Sequence, residues 1–346
     1  MHVLWSFTLG GAESLLVDLA NIQVKSHDVH VLIINDLCTE SLFGKLAEDI
    51  VVTRFKRVPG SRKIGEILNI YWQIFQCKPD IVHIHSADLL KMIPPFGYNI
   101  VLTVHDTVCE LRCSGRIKAT VAISRAVADD LAARCRIDCV TTIQNGVPCT
   151  KIRIRDGIGN DPFKIIQVGR LLHEKKGQDV LLNAVRIVED KSGIPVHLHF
   201  LGDGPSRDYL RTLAETLGLQ HVEFLGEKER EVVFDCLSDY SLFVQPSRSE
   251  GFGLTVVEAM AAKIPVLVSN IEGPYELIRN DTYGFSFRSE DVEHCASKII
   301  QIMDLYRNDS DALLQLTERA YDYAIENYDI NRMAMEYELL YKSIAA

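Results

Sequence analysis

Two glutamates, Glu250 and Glu258, frame the segment of this chain with the clearest chemical potential. Between them lies Gly251-Phe252-Gly253, followed by residues 254–262, which are predicted to form a helix. Glycines let the backbone approach a ligand closely, and unpaired N–H groups at a helix start favour an anion such as a pyrophosphate. A carboxylate accepts two hydrogen bonds at once, which suits a vicinal diol. The segment therefore predicts a sugar-nucleotide site, although the spacing alone fits two solvated glutamates equally well.

A second group of candidate ligands follows the first predicted strand of the second half. Residues 169–177 read Gly-Arg-Leu-Leu-His-Glu-Lys-Lys-Gly and supply two cations, Arg170 and either Lys175 or Lys176. Fixed cations stabilise the negative charge that grows on a diphosphate when a glycosidic bond breaks. We favour Lys176 because it directly precedes a glycine. The alternative is a solvated loop with scattered basic residues.

The first half of the chain has its own candidates at strand ends. Gly10 and Gly11 join a predicted strand to a predicted helix, with N–H groups that can meet an acceptor or a phosphate. His105 follows another strand and is placed to contact a substrate. His83 and His85 alternate with apolar residues, so we interpret them as hydrogen-bonded histidines of the core or of the sheet edge.

Strand and helix signals alternate along both halves, which predicts two Rossmann-like, doubly wound α/β domains. Among the helices we expect one near residues 64–77 and one over residues 125–134, which Ser124 would cap. The alternation pauses at the polar residues 151–161 and restarts at residues 163–168. We therefore expect one domain over residues 1–150 and a second over residues 151–328. Ligands of such sheets bind at the carboxyl ends of the strands, and we expect the two domains to face one another across a cleft.

The charge of the chain is distributed unevenly. Residues 1–155 carry a net charge of +3 and residues 156–346 a net charge of −13, within a total of −10. Basic clusters in the first half can attract an anionic membrane surface or an anionic acceptor, and they can equally be ordinary solvated charge. These clusters comprise Arg54, Lys56, Arg57, Arg62, Lys63, Arg112, Arg116 and Lys118.

Composition indicates a soluble globular protein with reduced thiols. No apolar run reaches the ~18 residues that span a membrane, and no basic secretion signal opens the chain, so we expect a cytoplasmic protein. Nine cysteines, an odd number, argue against a disulfide framework. Cys109 with Cys113 and Cys135 with Cys139 match a loose zinc spacing. We interpret these four as packing residues and leave any further role open.

Two further motifs resemble known ligand sites and are set aside. Residues 202–207, Gly-Asp-Gly-Pro-Ser-Arg, follow a strand as a dinucleotide fingerprint would, but Arg207 stands where a third glycine is required. Asp309-Ser310-Asp311 resembles a metal-binding Asp-x-Asp, but it lies between two predicted helices, where a helix cap is expected. The first motif is weak evidence for NAD, so an NAD enzyme is the least favoured interpretation, and the second is interpreted as a cap and not as a metal site.

Five motifs of this chain recur in order in one known family. The chain resembles the family-4 retaining glycosyltransferases of the GT-B fold over nearly its whole length. The resemblance rests on Gly-Gly-Ala-Glu at 10–13, Ala-Ile-Ser at 122–124, Asn-Gly-Val at 145–147, Gly-Arg-Leu…Lys-Gly at 169–177 and Glu-x7-Glu at 250–258. Each motif is weak alone, whereas five in order on two α/β domains are specific.

The resemblance implies a role for each candidate residue. Glu250 would bind hydroxyls of the donor sugar, Glu258 the ribose diol, and Arg170 with Lys176 the diphosphate, while His105 would contact the sugar from the first domain. The implied catalytic set is Glu250, Arg170, Lys176 and His105. The implied donor-binding set is Gly10, Gly11, Lys175, Gly251, Phe252, Gly253, Leu254, Thr255 and Glu258. The last helix, residues 329–346, would cross back to the first domain.

The resemblance also implies a reaction. Such enzymes need no metal or other cofactor, and they are thought to retain anomeric configuration by front-face attack, in which the departing phosphate takes the acceptor's proton. A hexose would pass from a nucleotide diphosphate sugar, UDP favoured over GDP, to a hydroxyl of a bacterial surface polysaccharide or lipid-linked glycan. A disaccharide phosphorylase of the same fold and a non-catalytic nucleotide-sugar-binding protein are the alternatives.

The expected partners follow from the same resemblance and from the charge. They are the nucleotide-sugar donor, the glycan or lipid-linked acceptor and, through the basic first domain, the inner face of the cytoplasmic membrane. A nucleic-acid partner is not expected.

Overall fold

The computed structural model describes residues 1–61, 63–95, 97–107, 115–135, 140–157, 159 and 162–345. The chain divides into two compact units. The first unit comprises Met1–Gly146 together with Ile330–Ala346, and the second comprises Val147–Asp329. The last helix is therefore part of the first unit.

The described residues of the first unit include a seven-stranded parallel sheet. Its strands are β1 (His2–Leu4), β2 (His30–Asn35), β3 (Val51–Arg57), β4 (Ile81–Ile84), β5 (Asn99–Val104), β6 (Ile117–Ala122) and β7 (Val140–Thr142). They lie in the order β3-β2-β1-β4-β5-β6-β7. The strand order reverses between β1 and β4, and parallel sheets bind ligands at the carboxyl ends of the strands beside such a reversal.

Helices connect these strands. They are α1 (Gly11–Gln23), α2 (Glu40–Phe43), α3 (Ile64–Cys77) and α4 (Arg125–Cys135). The bounds predicted for α3 are confirmed, whereas the single turn α2 is too short for a periodic pattern to reveal. The N–H of Val127 donates to Ser124 Oγ at 3.1 Å, which confirms the cap predicted for α4.

In the described part of the second unit, six strands form another parallel sheet. They are β8 (Lys164–Val168), β9 (His197–Leu201), β10 (Val222–Gly226), β11 (Leu242–Gln245), β12 (Val266–Ser269) and β13 (Phe285–Phe287). Their order is β10-β9-β8-β11-β12-β13, so the reversal lies between β8 and β11. β8 and β11 are buried almost throughout, as expected for strands that are covered on both faces.

The helices of the second unit position the loops at this reversal. They are α5 (His173–Lys176), α6 (Gln178–Ser192), α7 (Arg207–Thr216), α8 (Arg230–Cys236), α9 (Leu254–Ala261), α10 (Pro274–Leu277), α11 (Val292–Asn308) and α12 (Ser310–Tyr328). The N–H of Ala312 donates to Asp309 Oδ1 at 3.2 Å. Asp309 is therefore the helix cap that its position between two helices predicts.

The last helix, α13 (Ile330–Ala345), completes the core of the first unit. Its apolar residues recur at helical spacing, which places them on one face. Ile330, Met333, Ala334 and Tyr337 are buried there in one cluster with Leu15 and Leu19 of α1 and with residues of the sheet.

Candidate active site and family

Glu250 lies in the loop between β11 and α9, at the strand reversal of the second sheet. Its carboxylate accepts a charged hydrogen bond from Lys176 Nζ and a second bond, at 3.1 Å, from Gln245 Nε2. Both members of the ion pair are mostly buried. Hydrogen bonds that involve ionised groups are about twice as strong as neutral ones, so this carboxylate is oriented before any ligand arrives.

Glu258 lies one turn further into α9 and is almost completely buried, at 4% exposure. Arg230 Nε donates to Glu258 Oε1 at 3.1 Å, so a cation compensates the buried charge. Arg230 also lies over the ring of Phe234, with 4.9 Å between the guanidinium carbon and the ring centroid. Sequence reasoning missed Arg230, because nothing in residues 227–231 distinguishes it from a surface arginine.

The start of α9 is organised to meet an anion. Gly253 precedes the helix with φ +106°, and no side chain caps the helix among the described residues. Thr255 Oγ1 donates to Gln245 Oε1 at 3.4 Å, while the Phe252 ring is buried edge-on against Tyr328. The Phe252 side chain is therefore a packing group, and a ligand at this loop would meet its backbone.

The predicted cations lie on the loop that follows β8, at the same edge of the sheet. Arg170 is exposed there, Lys175 is half-buried, and Lys176 pairs with Glu250. Gly177 closes the single turn α5 with φ +65°. A Cβ on Gly177 would lie 2.0 Å from the carbonyl oxygen of Pro246, so only glycine lets the two loops approach this closely.

Arg248 joins these two loops and was not predicted. Its guanidinium donates two parallel bonds to Asp179, at 2.8 and 2.9 Å, and a third to Glu290 at 2.9 Å. The hydrogen bond to Asp179 raises the pKa of Arg248 above its ordinary value. In addition, the backbone N–H of Arg248 donates to the carbonyl of Lys175 at 2.8 Å. Arg248 thus fixes the spacing between the Glu250 loop and the lysine loop.

The Gly-x-Gly that resembles a dinucleotide fingerprint serves backbone packing. A Cβ on Gly202 would lie 2.1 Å from the carbonyl oxygen of Gly169, and a Cβ on Gly204 would lie 2.4 Å from that of Leu171. These glycines therefore bring the loop after β9 against the loop after β8.

In the first unit, a cavity of about 350 Å³ opens at the reversal between β1 and β4. Its lining includes Trp5, Thr8, Glu13, His85 and His105. Gly10 and Gly11 lie next to the cavity, where extended Gly10 precedes α1 and Gly11 begins it. Burial raises the pKa of Glu13 and lowers that of His105 to about 4. At neutral pH the cavity therefore presents a neutral imidazole.

His83 stacks on the cavity-lining His85, with 4.3 Å between the ring centroids, and is hydrogen-bonded on both ring nitrogens. Its Nδ1 pairs with the Tyr341 hydroxyl at 2.6 Å and its Nε2 with Thr103 Oγ1 at 2.7 Å. Ring nitrogens of His2, His83 and His85 lie within 4.8 Å of one another, a spacing that a metal could use. Such a metal would have to displace a bond of His83, so the present contacts fit a hydrogen-bonded core better.

The cysteine spacing falls largely outside the described residues. Cys109, Cys113 and Cys139 are not among the described residues, so the zinc spacing stays untested. Cys135 ends α4 and is half-buried. Cys149 is buried, and burial together with the charge of Asp329 raises the pKa of its thiol to about 12, which is expected of a packing thiol.

The family models match nearly all of the chain. A model described as Glycosyl transferases group 1 matches residues 150–323, half of the chain by itself. The chain belongs to the glycosyl transferases group 1 family. A second model, described as Glycosyltransferase Family 4, matches residues 9–151. The two matches meet at residues 150–151, a few residues beyond the boundary between the two units at Gly146 and Val147.

Individual relatives extend the comparison. An uncharacterized glycosyltransferase of Methanocaldococcus jannaschii is 36% identical over 137 residues, 39% of this chain and 34% of the relative. The putative colanic acid biosynthesis glycosyltransferase WcaL of Escherichia coli is 32% identical over 185 residues, 51% of this chain and 44% of the relative. The matched segments thus span less than half of the length of these curated relatives.

Solved structures show the fold. Anabaena Alr3699/HepE in complex with UDP-glucose superposes with a TM-score of 0.80 at 18% identity, covering 99% of this chain and 98% of that one. This likeness confirms the predicted fold class, the two Rossmann-like domains of GT-B glycosyltransferases. Among the described residues no helix is both long and apolar enough to cross a membrane.

Proposed function

We propose that this protein transfers a hexose from a nucleotide diphosphate sugar, UDP-linked rather than GDP-linked, to an acceptor hydroxyl with retention of configuration. The acceptor would belong to a bacterial surface polysaccharide or a lipid-linked glycan, and the relative WcaL is named for colanic acid biosynthesis. The observation that carries the proposal is the pairing of Lys176 with Glu250 beside the start of α9.

The second unit would bind the donor through three kinds of contact. The N–H groups at the start of α9 and the cations Arg170 and Lys176 would bind the diphosphate. An ammonium has three donors, so Lys176 can contact Glu250 and a phosphate at the same time. Glu250 would then accept hydroxyls of the sugar, and its existing bonds would limit the entropy lost on binding.

Glu258 would bind the ribose diol. Arg230 compensates the charge of this buried carboxylate, and carboxylate oxygens are the acceptors that a diol requires. Retention would follow from front-face attack, in which the leaving phosphate accepts the proton of the incoming hydroxyl. The cations that stabilise the leaving group would then supply the largest part of the rate enhancement.

Thermal unfolding with UDP, GDP or NAD tests the donor site. A ligand at 100 times its Kd stabilises the folded state by about 2.7 kcal/mol, which a melting curve detects easily. We expect a shift with UDP that is abolished in Glu258→Ala and kept in Glu338→Ala, an exposed carboxylate of α13 in a surface ion pair. A shift with NAD alone, or with none of the three, would contradict the proposal.

Turnover tests the reaction. We expect UDP to be released from UDP-sugars when a glycan acceptor is present. An α-linked donor should give an α-linked product, which the NMR signal of the anomeric proton identifies. Cleavage that depends on phosphate and needs no nucleotide would indicate the phosphorylase instead. Donor binding without turnover on any acceptor would indicate a binding protein.

We also propose that the first unit contacts an anionic membrane surface through α3. The large apolar side chains of Ile64, Leu68, Trp72 and Phe75 lie on one helix face, and each is more than half exposed. The rings of Trp72 and Phe75 stack at 6.1 Å. Lys63 and Lys78, which flank α3 at its two ends, are both exposed, so positive charge borders the apolar face. This combination suits an interfacial helix.

Sedimentation with vesicles tests this contact. We expect binding to anionic vesicles at low salt and little binding to neutral ones, and Trp72→Asp should weaken it by about tenfold or more, since burying a large apolar side chain contributes roughly 1.5–3 kcal/mol. Leu339→Asp is the control, because Leu339 is equally exposed on α13. Loss of binding in both variants or in neither would contradict the proposal. Dimerisation without lipid, abolished by Trp72→Asp, would assign the face to a second copy.

A further inference from the structure

A line of hydrogen bonds runs from the interior of the first unit to its cavity. Gln23 Oε1 lies 2.8 Å from His2 Nε2, His2 Nδ1 lies 3.2 Å from His85 Nε2, and His85 Nδ1 lies 3.1 Å from His105 Nε2. The rings of His85 and His105 are stacked at 5.4 Å. His105 and His85 line the cavity, whereas Gln23 and His2 are buried behind it.

The line has a direction, because a neutral imidazole carries one N–H donor and one acceptor nitrogen. An amide oxygen only accepts, so Gln23 Oε1 requires Nε2–H on His2. His2 Nδ1 is then an acceptor and requires Nε2–H on His85. By the same step His85 Nδ1 requires Nε2–H on His105. The remaining ring nitrogen of His105, Nδ1, is therefore an acceptor.

The surroundings keep these rings neutral. Burial is the largest effect on His2, His85 and His105 and lowers the pKa of each. A positive charge on one ring would also repel a positive charge on the next, which adds to the effect of burial at His85. Other titratable groups near the line are Glu13, which lines the same cavity, together with His83, Asp106, Tyr341 and the amino group of Met1. Of these groups, the negative charge of Asp106 raises the pKa of His105, but by less than burial lowers it.

We propose that His2 and His85 are positioning residues that fix His105 as the neutral Nε2–H tautomer. His105 would then offer an acceptor nitrogen to the cavity, so its ligand is a hydroxyl that donates a hydrogen bond and not an anion. The tautomer is independent of the proposed transferase activity. The statement that the hydroxyl belongs to the substrate rests on that activity.

The tautomer can be measured directly in the wild-type protein. Two-bond ¹⁵N–¹H correlation spectra of histidine-labelled protein distinguish protonated from unprotonated ring nitrogens, and His105→Gln assigns the His105 signals by their loss. We expect protonated Nε2 and unprotonated Nδ1 on His2, His85 and His105 at pH 7. Protonated Nδ1 on His105 would mean that the amide of Gln23 is turned and would overturn the proposal. A doubly protonated ring would overturn it as well.

A matched pair of variants at position 85 tests the positioning role. In His85→Asn the amide oxygen can replace Nδ1 as the acceptor for His105, whereas His85→Leu offers none. We expect kcat/KM to fall about tenfold in His85→Leu, the equivalent of one net hydrogen bond, and less than threefold in His85→Asn. The pH dependence of kcat/KM should change in His85→Leu only, because His105 can then change tautomer or become protonated.

The outcomes separate the two proposals. Equal losses in both variants, with unchanged pH profiles, would show that position 85 matters for packing alone and would overturn the positioning role. Melting temperatures of both variants show whether each is folded, and the wild-type spectra decide the tautomer even if His85→Leu does not fold. If the spectra show the expected tautomer but the protein has no transferase activity, the proposed function is wrong and the tautomer assignment stands.

Discussion

Replacement of Gly177 by alanine should destabilise the second unit far more than the same change at Gly193. The two glycines have nearly equal backbone angles, φ +65° and +67°, and both end helices. They differ in their surroundings, because a Cβ at Gly177 would lie 2.0 Å from Pro246 O, whereas a Cβ at Gly193 meets no atom within 4 Å. Gly193→Ala therefore isolates the cost of the backbone angle.

The magnitudes follow from these contacts. Alanine in the left-handed region costs roughly 1–2 kcal/mol, partly offset by the reduced entropy of the unfolded chain, so Gly193→Ala should cost about 1 kcal/mol. In Gly177→Ala the two loops must also separate by about 1.4 Å to restore van der Waals contact, which adds roughly 1–3 kcal/mol. In a unit of this size each kcal/mol of destabilisation lowers Tm by about 2–4 °C. The expected loss of Tm is therefore about 2–4 °C for Gly193→Ala and about 4–16 °C for Gly177→Ala.

The same displacement should affect chemistry, because Lys176 precedes Gly177 and pairs with Glu250. We expect kcat to fall at least tenfold in Gly177→Ala and to stay within twofold in Gly193→Ala, since a misplacement of about 1 Å can cost 10²-fold. Melting curves and initial rates at saturating donor check both quantities. Equal Tm losses in the two variants would refute this prediction, since they would show that the Gly177 and Pro246 loops can move apart without destabilising the fold.

Three further predictions concern charge. Lys176→Ala or Arg170→Ala should lower kcat by about 10²–10³, and near-normal rates at saturating donor would contradict the assignment. Glu258→Gln should cost about 3–5 kcal/mol of stability by leaving a buried cation uncompensated, whereas Glu338→Gln in its exposed pair should leave the melting temperature almost unchanged. Because burial lowers the pKa of His105 to about 4, unfolding takes up protons between the unfolded pKa near 6.5 and pH 4, so stability should fall as pH falls through this window. His105→Gln should reduce the change of the unfolding free energy with pH in this window by up to ~1.4 kcal/mol per pH unit. An unchanged pH dependence would contradict a lowered pKa of His105.

Elements whose pattern is local were predictable from the sequence. The alternation of short apolar strands with helical periods predicts both sheets, and α3 begins at Ile64 and ends at Cys77 as expected. Ser124 and Asp309 were predicted as caps because an N-cap bonds to a backbone N–H only three residues away. Such signals depend on neighbouring residues and need no tertiary contact.

Contacts between distant parts of the chain were not predictable. Arg230 bonds to a residue 28 positions away, and Arg248 bonds to Asp179 at a separation of 69. The histidine line connects α1 to the first residue of β1 and to the residues that directly follow β4 and β5. The exposed face of α3 was missed for a related reason, since an apolar stripe at helical spacing normally predicts burial. Only the packed structure shows which stripe is covered.

The amino-acid sequence therefore specifies which residue types are available for chemistry, their order along the chain and the strand ends that carry them. Their charge partners, the close approach at Gly177 and the direction of the histidine line arise only when the chain is folded. The physical reason is that motif residues follow local geometry, whereas ion pairs, backbone contacts and buried tautomers depend on groups brought together only when the parallel sheets form.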